Sequence, residues 1–117
     1  PRWWCFFAIP SHKIRSKDDY LELKTIRKKT FPIFGKVKSV IWKSNDKAKK
    51  LAEKFTEDPE INELVMKLGD IKVQSLRKNF SGYSIELENR LKQIPSLNLH
   101  QWNMLNRISS MCLDLDT

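Results

Sequence analysis

The chain has 117 residues, 40% hydrophobic and 31% charged, with a formal net charge of +8. That length fits one domain, and the balance excludes a chain disordered throughout. The charge is lopsided: residues 1–50 hold 14 Lys and Arg against four acids, a net +10, whereas the remaining 67 residues net −2. Such an asymmetry points to an anionic partner, whether nucleic acid, phospholipid headgroups or an acidic protein surface.

The first apolar run, Trp3-Trp4-Cys5-Phe6-Phe7-Ala8-Ile9, ends at Pro10. Its aromatic content reads as a buried strand, and seven residues fall far below the ~20 needed to cross a bilayer as a helix. The run lacks the small-residue cleavage site of a signal peptide. A second reading makes it the trailing end of a membrane segment in a longer protein, with basic residues after it as on cytoplasmic flanks. Ser11 to Asp19 is polar and reads as a loop, so residues 1–18 form a strand and basic linker flanking the rest.

From Tyr20 to Lys29 the alternation of Leu21, Leu23 and Thr25 favours a strand. Thr30-Phe31-Pro32-Ile33-Phe34-Gly35 then reads as a connection to a second strand at Val37–Trp42, completing a hairpin. Ser44-Asn45-Asp46 offers cap acceptors for a helix with Ala48, Leu51, Ala52 and Phe55 on one stripe. Asp58-Pro59-Glu60 starts another, with Ile61, Leu64, Val65 and Leu68 buried and Gly69 taking the left-handed position after its end.

Ile71-Lys72-Val73 and Tyr83–Glu88 alternate apolar with polar and form a second hairpin across the turn-rich Arg77–Gly82. Beyond Pro95, Ser96 or Asn98 caps a last helix, Asn98 with Gln101 at capping-box spacing. Its stripe is Trp102, Leu105, Ile108 and Cys112, widened by Met104, Met111 and Leu115, and it packs on the sheet. The order β-ββ-αα-ββ-α predicts a single α+β domain over 1–117, a mainly antiparallel sheet with about three helices on one face.

Motifs for chemistry are absent from the pattern. His12 and His100 stand far apart without neighbouring ligands, and Cys5 and Cys112 lack CxxC spacing, so no metal or cofactor is expected. Two such cysteines read as free thiols of a reducing compartment, the cytoplasm or the cytoplasmic face of a membrane. Ser44–Lys47 matches S-x-x-K but is explained by the helix cap. The acids at Glu57, Asp58, Glu60 and Glu63 suit a helix start, Glu86 and Glu88 a solvated strand face, and Gly35, Gly69 and Gly82 are turn residues. The sequon Asn79-Phe80-Ser81 is idle without a secretion signal. A non-enzymatic binding or scaffolding module is the expectation.

Its site is read from Lys24, Arg27, Lys28, Lys29, Lys36, Lys38 and Lys43, which flank one hairpin connection with Phe31 and Phe34 at the tip. Cations that hold a backbone beside aromatics that stack bases describe a single-stranded RNA site, so RNA or a ribonucleoprotein is the leading partner. The alternatives are an anionic membrane surface met by a membrane-proximal domain, and a protein partner met by an apolar patch on the last helix.

Overall fold

In the computed structural model, which describes residues 3–13, 17–29, 37–76, 80–89 and 97–116, one antiparallel sheet carries three helices on a single face. The elements are β1 (Trp3–Pro10), β2 (Glu22–Lys29), β3 (Val37–Ser44), α1 (Lys49–Thr56), α2 (Pro59–Leu68), β4 (Ile71–Leu76), β5 (Gly82–Asn89) and α3 (Leu99–Asp114). Short 3-10 turns at Lys17–Asp19 and Asp46–Ala48 precede β2 and α1. This is the expected α+β order. The sheet order is β1-β5-β4-β2-β3, so β1 and β3 are its edges.

Period-two alternation assigns each strand residue to a face. Leu23, Val73, Ile85 and Phe7 share one register line, Ile71, Leu87 and Cys5 another, and Ser75, Tyr83 and Ile9 a third. All point toward the helices, and most are buried in the core with Leu51, Phe55, Ile61, Val65, Leu105, Ile108 and Cys112. The run Trp3–Ile9 is a strand, but an edge strand with one buried side: Cys5, Phe7 and Ile9 turn inward while Phe6 and Ala8 are exposed.

The helix ends follow their residues. The Asp58 side chain accepts from Glu60 N and Ile61 N, Pro59 opens the first turn, and Arg107 Nη2 reaches Asp58 Oδ2 at 2.7 Å. Asn98 and Gln101 form a reciprocal capping box. Gly69 departs from expectation. Its φ of 119° and ψ of −173° lie outside the left-handed helical region, because the chain leaves α2 directly into the extended β4. That conformation is still one that essentially only glycine adopts.

Trp42 on β3 fixes α1 and α2 to the sheet. Its ring packs on Phe55 with centroids 4.9 Å apart, and its Nε1–H donates to Asn62 Oδ1 at 2.8 Å. The Asn62 amide in turn donates to the Phe55, Thr56 and Asp58 carbonyls, closing the α1–α2 turn. At the other end Phe7 meets Trp102 of α3 edge-on at 5.4 Å, and the Asp116 carboxylate accepts from both Tyr83 and Ser11 hydroxyls. Trp102, expected within the buried stripe, sits at its margin with 45% of its surface exposed. Among the described residues, no helix is long and apolar enough to cross a membrane.

Candidate nucleic-acid interface

Among the described residues no helix covers the opposite face of the sheet; it is exposed at β1 and at β2–β3, half-buried at Lys72 and Glu86 and closed over Ser84, and its central feature is one register line through all five strands. Phe6 of β1 faces Glu86 of β5, Glu86 faces Lys72 of β4, Lys72 faces Lys24 of β2, and Lys24 faces Lys43 of β3. Three lysines therefore stand side by side, one strand spacing of about 4.8 Å apart. Like charges set directly opposite each other destabilise a sheet.

Compensation is uneven along this line. Lys72 Nζ lies 3.5 Å from Glu22 Oε1 and has Glu86 as its other cross-strand neighbour. Glu22 and Glu86 are held in place by Tyr20 and Gln74: the Tyr20 hydroxyl donates to Glu22 Oε2 and Gln74 Oε1, and Gln74 Nε2 donates to Glu86 Oε1. Lys24 and Lys43 are exposed and make no ion pair or side-chain hydrogen bond among the described residues. Beside them, Ile26 and Ile41 face each other and are both exposed. The open face thus runs from a basic, partly apolar side at β2–β3 to a neutralised centre at β4–β5.

The expected site residues divide on this sheet. Lys24 and Lys43 come together as direct partners on the open face. Arg27 belongs to the opposite face, where its Nε lies 3.3 Å from Asp70 Oδ1, an oxygen that also accepts from the Thr25 hydroxyl. Thr25 Oγ1 accepts in turn from Ile71 N at 2.9 Å, so Arg27 is tied to the α2–β4 junction. For Lys28, Lys29 and Lys38 the structure describes the strand position alone, with a register shift between Lys28 and Lys29. Lys36, Phe31 and Phe34 lie outside the described residues.

Lys72 was missed by sequence reading because it belongs to the mildly acidic part of the chain. The signal that finds it is topological: β4 inserts beside β2 rather than beside β3, which brings Lys72 against Lys24.

Ser11, His12 and Asp116 line one open pocket, but the Ser11 hydroxyl donates straight to the Asp116 carboxylate instead of to an imidazole, so His12 is not placed between them as a base. Cys5 and Cys112 carry thiols and are not joined in a disulfide. Among the described residues, no group of three or more His, Cys, Asp or Glu side chains is gathered to hold a metal ion. Comparison of the chain with family models, curated proteins and solved structures gave no match.

Proposed function

We propose that this domain is a non-enzymatic binding module whose open sheet face receives the phosphate backbone of single-stranded RNA, alone or within a ribonucleoprotein. The observation that carries this reading is the Lys43–Lys24–Lys72 line, in which Lys24 and Lys43 make no ion pair among the described residues, the nearby Glu22 carboxylate being engaged by Lys72. An arrangement that costs the free protein stability is relieved when phosphates sit over it. The Ile26–Ile41 pair supplies an exposed apolar surface next to the cations, against which unstacked bases pack.

The test is fluorescence anisotropy of a labelled uridine oligomer, with vesicles of phosphatidylserine and phosphatidylcholine as the competing surface. The parent chain binds the RNA, its affinity falls steeply with salt, and Lys24→Glu with Lys43→Glu abolishes binding while the circular dichroism spectrum is unchanged. Absence of RNA binding by the parent, or undiminished binding by the folded variant, overturns the reading. Binding to vesicles but not RNA replaces it with a membrane-surface function.

A further inference from the structure

We infer that β1 is a self-association edge, through which two copies of this chain pair antiparallel about a two-fold axis and join their five-stranded sheets into one. An edge strand presents a row of unpaired backbone N–H and C=O groups, and proteins commonly discourage pairing there with lysine. The two edges of this sheet differ in that respect. β3 carries Lys38 and Lys43, whereas β1 has no charged residue between Trp3 and Pro10.

Exposed apolar side chains gather on both sides of that uncharged edge. Phe6 is 58% exposed on the open face. On the helix side Trp102 stands edge-on to Phe7, and Leu99, near the start of the same helix, is 76% exposed. A strand added alongside β1 covers surface above and below the sheet as well as satisfying its backbone.

Charge decides which edges of two copies can meet. With a net charge of +8, two copies repel unless their basic surfaces are kept apart. Pairing β3 with β3 sets lysine strands against each other, and β2, β4 and β5 are already paired on both sides. Pairing β1 with β1 brings uncharged strand to uncharged strand and leaves Lys24 and Lys43 at the two far ends of the joined sheet. The contact is isologous, the commonest form of homodimer symmetry. It stands independently of what the lysine line binds.

Sedimentation equilibrium over a dilution series tests this with the parent chain and with Phe6→Lys plus Ala8→Lys, two exposed positions on the open face that leave the inward Cys5, Phe7 and Ile9 untouched. The expected result is twice the chain mass for the parent and the single-chain mass for the variant. Hydrogen exchange on the parent alone gives a second reading: β1 amides exchange more slowly as concentration rises, and β3 amides do not change. A parent that is monomeric throughout, a folded variant that remains dimeric, or β1 exchange independent of concentration overturns the inference.

Discussion

Lys72 faces Lys24 directly across the β2–β4 ladder, although the two come from opposite charge halves of the sequence. With Lys43 on its other side, Lys24 is bracketed by like charges. Lys24→Glu converts two repulsive cross-strand pairs into attractive ones. We expect the variant to be more stable than the parent by about 0.2–1 kcal/mol at low ionic strength, an advantage that shrinks as salt is added. The same variant binds single-stranded RNA more weakly, and its plot of log affinity against log salt is shallower by about 0.7 for each phosphate that is no longer neutralised. Urea denaturation and anisotropy titration on one preparation check both halves.

Arg27 separates binding from stability in the opposite sense. Its guanidinium engages Asp70 on the helix-bearing face, with side chains 32% and 42% exposed. Solvent screening limits such a pair to under about 1 kcal/mol. Arg27→Ala is expected to lower the denaturation midpoint slightly and to leave RNA affinity and its salt dependence unchanged, as anisotropy titration shows directly.

Gly82 begins β5 opposite Pro10, with a φ of 151°. A Cβ placed there overlaps the Ile9 carbonyl oxygen and lies 2.9 Å from the Phe80 ring. Neither the backbone conformation nor the space admits a side chain. Gly82→Ala is therefore expected to cost at least about 1–3 kcal/mol from the backbone conformation alone, with hydrogen exchange accelerated first in β1, whose ladder with β5 must shift.

Ser84 is fully buried between Ala8 and Gln74 in register, and its hydroxyl has no hydrogen-bond partner among the described residues. A buried polar group left unpaired costs about 1–3 kcal/mol. Ser84→Ala removes that group with almost no change in volume. The expected outcome is a higher melting temperature and an unaltered circular dichroism spectrum.

Element order was legible in the sequence because each element declared itself locally. Asp58-Pro59-Glu60 and Asn98 with Gln101 start helices through their own side chains, and Leu21, Leu23 and Thr25 alternate as the sheet demands. Strand adjacency was not legible. Two hairpins can be read from turns, but nothing local states that β4 docks against β2 or that β5 takes β1 as its other neighbour. Lys72 joined the basic line for that reason alone. Arg27 left it because charge density counts side chains without regard to face, whereas alternation along β2 sends Lys24 and Arg27 to opposite sides of the sheet. The indole of Trp102 illustrates the same limit within a helix: the stripe was right, but its outer margin falls at the sheet edge, where Phe7 meets the ring and much of it stays exposed.

The most direct test of the RNA reading is a 1H–15N titration of the isotopically labelled chain with a short uridine oligomer. Binding at the open face shifts the amides of Lys24, Ile26, Ile41, Lys43 and Lys72 together, while those of α1 and α2 stay in place. Spectra unchanged by RNA, or shifts confined to the helices, contradict the assignment of the lysine line as the phosphate-binding surface.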